Sequence, residues 1–247
     1  MTSDPFEGPK LKIERAESHI MDYSAAFKTL AESDVVRVHP EFDPETGDVK
    51  TIVQRKKALP SDLRLTAADA LSNLRSALDQ AVSRSTVLAR KSPAGTYFPT
   101  GTDLGSFKKA LSGDKNKKIP EPVRDAIALL KPYYGGDGAL LRVLHDLNRA
   151  DKHTDLIEMG IAIRRITIDP GQGTLPDKMV WFRREDKFEL APAGDMQVYN
   201  KIKITLAIAF ADVEAVEGQS VTQVLYQIRD VVRRTVGIIE HKTLALI

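Results

Sequence analysis

The 247-residue chain contains no cysteine. That removes disulfides, zinc ribbons, iron–sulfur clusters and a thiol nucleophile in one step. It also lacks an excess of either charge, since the formal net charge is only +2. No bulk electrostatic pull toward nucleic acid or anionic lipid follows from that balance. Basic residues cluster only locally, at Lys115-Asn116-Lys117-Lys118, Arg164-Arg165, Arg183-Arg184 and Arg233-Arg234. Taken alone, each cluster reads as solubilising. The most continuous apolar run, residues 204–213, carries an aspartate and is too short to span a bilayer. The first eight residues hold neither a basic start nor an apolar run, so no signal peptide is expected. A cytoplasmic protein without a membrane partner is the expectation. Glycine-rich phosphate loops, Gly-x-Ser-x-Gly and His-Glu-x-x-His are missing as well. Nucleotide-binding, serine-hydrolase and zincin readings are therefore poor, and neither metal nor cofactor is expected.

What is present is organised around a predicted helix over residues 60–89. Leu63, Ala67, Ala70, Leu71, Leu74, Ala77, Leu78, Ala81 and Val82 give it a clean apolar face. Asp69, Asn73, Ser76 and Gln80 form a stripe far from that face. Ser72, Arg75 and Asp79 lie between the two, where a neighbouring helix can cover them. Arg75 and Asp79 at i,i+4 can also pair with each other, worth about 0.3–0.5 kcal/mol if exposed.

Around this helix the periodicities predict further elements. Residues 10–33 read as a helix with Leu11, Ala16, Ile20, Tyr23, Phe27 and Leu30 inward. Two β-prone runs flanking Asp43-Pro44-Glu45-Thr46-Gly47-Asp48 read as a hairpin. Short helices follow near residues 104–111 and after Pro120-Glu121-Pro122. Asp137 is positioned to cap a helix running to about His153. Residues 159–168 alternate, but the apolar phase flips at Arg164-Arg165, which predicts a bulge with Ile161 and Ile166 on one face. Residues 202–210 read as a half-buried strand. Ser220 opens a C-terminal helix with Val221, Val224, Leu225, Ile228, Val231, Val232, Val236 and Ile239 inward. Helices and strands are segregated, so the fold class is α+β, a helical core with an antiparallel sheet, in a single domain over 1–247.

The helix ending near His153 carries the sharpest polar signal. Leu140, Leu144 and Leu147 form one stripe, Asp151 continues it, and Asn148 flanks it. A carboxylate on an apolar stripe is costly unless paired. One expectation is that Asp151 meets Arg75 across two helices, with Asn148 satisfying remaining donors or the Asn73 amide. The other is that the helix frays near Arg149 and Asp151 caps it or reaches water. His145, Arg149 and Lys152 fall on the opposite, wetter side.

Four segments carry a resemblance: residues 69–79 with Asn73-Leu74-Arg75-Ser76-Ala77-Leu78-Asp79, Phe98-Pro99, Leu130-Lys131-Pro132-Tyr133, and residues 144–153 with Leu147-Asn148-Arg149-Ala150-Asp151-Lys152-His153. Together they resemble an uncharacterised bacterial protein family with NLRSALD and LNxxDKH motifs. More distantly the chain is similar to HEPN domains, helical bundles that often act as RNases in toxin and phage-defence systems. Their motif places a histidine four to six residues after an arginine. In the resembled family the NLRSALD segment runs into a histidine, whereas this chain has Gln80. Glutamine cannot serve as a general acid or base near neutral pH. Arg234 and His241 have six residues between them, and one such pair is unsurprising by chance.

The resemblance implies a HEPN-like RNA- or protein-binding module with a degraded catalytic motif. The alternative is a metal-independent HEPN-type ribonuclease of a defence or toxin system, using Arg75 with His153 or His145. The candidate catalytic residues are Arg75, Asp151 and His153. The candidate binding residues are Asn73, Asp79, Gln80, His145 and Asn148. RNA or a protein is the expected partner, with a homodimer as a further option.

Overall fold

The computed structural model describes residues 4–42, 44–45, 47, 49–153, 159–168, 180–181, 187–190, 202–211 and 213–246. Within these, the side chains of 50–51, 151–153, 162–168, 180–181, 187–190 and 202–206 lie outside the description. The fold is α+β. Its helices are α1 (Glu7–Glu32), α2 (Ser61–Leu88), α3 (Leu104–Ser112), α4 (Glu121–Leu130), α5 (Ala139–His153) and α6 (Val221–Leu244). Its strands are β1 (Val36–Phe42), β2 (Val49–Arg55), β3 (Met159–Ile168), β4 (Val180–Trp181), β5 (Lys187–Leu190) and β6 (Ile202–Phe210). The chain forms two compact units. Unit 1 comprises Met1–Asp22, Leu65–Ile157 and Gln223–Ile247, and unit 2 comprises Tyr23–Arg64 and Glu158–Thr222.

Unit 1 is helical. All nine apolar positions expected to face inward on α2 are buried, each at 3 % exposure or less. In α1 the buried series is Phe6, Ile13, Ala16, Ile20 and Tyr23, whereas Leu11, expected inward, is 55 % exposed. The helix starts at Glu7, ahead of the expected residue 10, and the three-to-four spacing from Phe6 skips Leu11. Glu17 ties α1 to α6 by accepting from Arg229 at 2.7 Å and Arg233 at 2.8 Å. About two turns nearer the α6 C-terminus, Lys10 reaches Glu240 at 2.7 Å. In α6 every expected apolar position except Val231 is buried. Thr235 and Thr243 sit among them and return their hydroxyls to the Val231 and Ile239 carbonyls.

Helix α3 opens with a capping box between Asp103 and Ser106. Helix α4 follows Pro120, and Lys131 ends it in the left-handed conformation at φ 51°. Helix α5 begins just after Gly138, where an added Cβ would stand 2.3 Å from the Leu130 carbonyl oxygen. Asp137 does not cap α5 as expected. It lies two residues before the helix and accepts from Lys131 Nζ at 2.9 Å. The buried stripe of α5 is Leu141, Leu144 and Leu147, with Val143 beside it. Leu140 is only half-buried.

Unit 2 holds two three-stranded antiparallel sheets, in the orders β1-β2-β5 and β4-β3-β6, where one sheet was expected. The β1–β2 hairpin forms as read, pairing Val36 with Arg55 through to Phe42 with Val49. The bulge also lies where the apolar phase flips. The β3–β6 register steps from Ile163↔Leu206 to Arg165↔Thr205, leaving Arg164 as the extra residue. Ile161↔Ile208 and Ile166↔Ile204 are thereby in the same phase of the ladder. The exposure of Ile166 lies outside the described residues. The C-terminal end of β6 departs from a half-buried strand, because Ala207, Ile208, Ala209 and Phe210 are all buried. The chain turns back over this end: Phe210 donates to the Gln219 carbonyl at 3.4 Å and accepts from Gly218 N–H at 3.1 Å. Among the described residues no helix is long and apolar enough to cross a membrane.

Candidate functional site

Polar and aromatic contacts link the four motif segments inside unit 1, in part through residues next to them. Arg75 is 7 % exposed on the flank of α2. Its Nε and Nη2 donate to the two carboxylate oxygens of Asp79, one turn on, at 3.1 and 2.8 Å. Nη2 also donates to the Phe98 carbonyl oxygen at 2.8 Å. Asp79 accepts from the Phe98 N–H at 2.8 Å. The Arg75–Asp79 pair therefore holds both polar groups of one residue in the loop after α2. Phe98 itself is fully buried. Three residues later Gly101 N–H donates to the Pro132 carbonyl at 3.1 Å, and Phe107 stacks obliquely on Tyr133 with ring centroids 5.7 Å apart. Gly101 has no alternative here, since an added Cβ would stand 2.3 Å from the Phe107 backbone nitrogen.

The next residue, Tyr134, donates its hydroxyl to Asp146 of α5 at 2.6 Å. Asp146 is also held by Arg142, one turn earlier, at 2.7 and 2.5 Å. Burial and the Asp146 bond push the Tyr134 phenol up to about 12. His145, on the same helix, is half-buried and feels the charges of these groups. Burial, then the nearby guanidiniums of Arg75, Arg142 and Arg149, hold its imidazole down at about 4, partly offset by Asp146. At neutral pH it is uncharged. This half-buried position corrects the expectation that His145 lies on the wet side of α5; Arg149 does lie there, exposed.

The remaining site candidates are distributed differently. The expected partner of Arg75, Asp151, and also His153 belong to the last turn of α5, where side chains lie outside the described residues. Arg75 makes its ion pair within its own helix. Its Nη1 and the Asn148 Oδ1 are buried without a hydrogen bond among the described residues. Asn73 does not engage Asn148. Its amide donates to the Asp69 carbonyl at 2.8 Å, and its oxygen accepts from Lys12 of α1 at 3.2 Å. Gln80 is exposed in a cleft with Gly8, Ser83 and Arg84. That is a separate place from the Asp79 carboxylate. The Arg75–Gln80 spacing thus puts the two side chains to different uses.

Sequence reasoning missed Phe98, Tyr134 and Arg142 as members of this cluster. Arg142 and Asp146 at i,i+4 were a readable signal. A backbone peptide as the ligand of Arg75 leaves no signature in side-chain patterns. Comparison with protein-family models, with curated proteins and with solved structures gave no match.

Proposed function

We propose that unit 1 is a HEPN-like helical module that binds RNA without cleaving it. The observation that carries the reading is the state of Arg75. A cleaving site of that type needs its arginine turned toward a scissile phosphate. Here two of the three guanidinium nitrogens hold Asp79 and Phe98, and the side chain is buried. Gln80, in the histidine's position, cannot move a proton at neutral pH. What supports binding is Arg149, an exposed guanidinium close to the neutral His145 imidazole.

The ribonuclease alternative draws on the closeness of His145 to Arg75. Its imidazole is in the basic form at pH 7, as a general base requires. A basicity near 4 nevertheless makes it a weak base at neutral pH. The two readings part in one experiment. The full chain is mixed with a 5′-labelled single-stranded RNA of about 20 nucleotides at pH 7. A native gel should show a retained complex, and a denaturing gel of the same sample should show intact RNA. Shortened RNA with wild type but not with His145→Ala or with His153→Ala would establish the alternative. No retention at all would overturn RNA binding and leave a protein as the partner.

A further inference from the structure

A second basic cluster in unit 1 lies outside the α2–α5 contacts. Residues 90–118 hold seven Lys or Arg and two Asp, a net +5, against +2 for the whole chain. The charge is not cancelled locally. Among the described residues only Lys117 has an acidic partner, Asp114 at 3.0 Å, and both are exposed. Lys118 Nζ donates to the uncharged Ala94 carbonyl at 3.1 Å.

Local geometry gathers these residues with an aromatic ring. Thr96 N–H closes a turn onto the Pro93 carbonyl at 2.9 Å, with Gly95 at φ 77° supplying the bend. An added Cβ at Gly95 would touch the Lys115 side chain at 3.3 Å, so that stem lies across the turn. Asn116, 1 % exposed, accepts from Tyr97 N–H at 3.3 Å and donates to the Ala110 carbonyl at 3.0 Å. Tyr97, Lys115 and Lys118 are thus held on one small patch. The next residue, Phe98, is fixed by Arg75 and Asp79. Tyr97 is 38 % exposed beside a fully buried phenylalanine. A partly exposed aromatic on a backbone fixed from both sides is a ready-made stacking platform. Basic side chains around it match the phosphates on either side of a stacked base.

We infer that this patch is the contact surface for single-stranded RNA, with a base stacked on Tyr97 and phosphates on Lys115, Lys117 and Lys118. The inference rests on the RNA-binding reading and deepens it. A duplex offers only its phosphates here, because its bases are already stacked. An anionic lipid surface would use the lysines and ignore the ring.

The test is fluorescence anisotropy on the full chain. The probes are a labelled single-stranded RNA of about 20 nucleotides, the same sequence as a blunt duplex, and vesicles containing phosphatidylserine. The single strand should bind about tenfold or more tighter than the duplex. Tyr97→Ala should weaken single-strand binding about tenfold, and Tyr97→Phe should restore it. Lys115→Gln with Lys118→Gln should lower the slope of log affinity against log salt by about 1.4. Thermal melts of the same variants check that each is folded. Equal affinity for strand and duplex with no effect of Tyr97→Ala overturns the inference and leaves RNA binding standing. So does RNA binding untouched by both Tyr97→Ala and the double lysine variant. Failure to bind either RNA, with or without vesicle binding, overturns both.

Discussion

Asp79→Ala removes three hydrogen bonds at once: two from Arg75 and one from the Phe98 N–H. The consequences differ for the two partners. Arg75 keeps only the Phe98 carbonyl and remains a buried cation. The Phe98 N–H loses its acceptor beside a fully buried ring. Breaking a buried ion pair costs about 3–5 kcal/mol. The Asp79 side chain is 36 % exposed, so water replaces part of what it supplied. The expected loss is therefore about 2–3 kcal/mol, below the fully buried range. Asp79→Asn keeps an oxygen for Phe98 and loses only the charge, which should cost about 1–2 kcal/mol. Arg75→Ala leaves Asp79 to water but strips the Phe98 carbonyl of its donor, for about 2 kcal/mol. In the double variant neither charge is stranded, so the losses should fall short of their sum by about 1–2 kcal/mol. Urea melts with unchanged m-values measure all four, and hydrogen exchange at the Phe98 amide reports the loop directly. Single losses within about 0.5 kcal/mol that add strictly, with Phe98 exchange unchanged, would refute the clamp.

Other outcomes follow from the same structure. NMR titration should place His145 near 4, and because its unfolded value is about 6.5, the unfolded state holds more protons between those values. Its contribution to stability is thus fully present above about pH 6.5 and is lost as pH falls toward 4; an ordinary titration near 6.5 would contradict the buried guanidinium setting. Ending the chain at Gly218 removes buried Val221, Val224, Leu225, Ile228, Val232, Val236 and Ile239, on the order of 10 kcal/mol at about 1.5 kcal/mol each. That matches a whole domain's margin, so circular dichroism and dye binding should show a molten product, and a cooperative melt at the wild-type temperature would show the helix to be an appendage. Gly101→Ala, which meets backbone at 2.3 Å, should cost about 1–3 kcal/mol, whereas Gly237→Ala, with nothing within 4 Å, should stabilise by about 0.5–1 kcal/mol. Melts in which the two glycines behave alike would contradict that contrast.

Elements with a strong period were legible from residues alone. Helix α2 runs within one residue of its expected ends, and its nine apolar positions are all buried. The Arg164 bulge was readable because a phase flip in an alternating strand has few other solutions. Pairing over long separations was not. Nothing in the four residues of β5 says that they join β2 and not β3 or β6, since a two-residue period carries no address. The site divides in the same way. The i,i+4 option for Arg75 and Asp79 was visible, and its strength was not. Their common ligand is a backbone group 19 to 23 residues away, brought in by loop geometry. Leu11 was misplaced because the phase of α1 is set by Phe6, just before the helix begins.

The most direct measurement is a zero-length crosslink. The full chain is irradiated with a single-stranded RNA carrying 4-thiouridine, digested, and mapped by mass spectrometry. Adducts should concentrate on the peptide bearing Tyr97 and on those spanning Lys115 to Lys118, with a weaker site at Arg149, and the unmodified RNA should remain uncut. Adducts confined to the strands of unit 2 would contradict RNA binding through unit 1, and a crosslink pattern unchanged by Tyr97→Ala would contradict the Tyr97 patch.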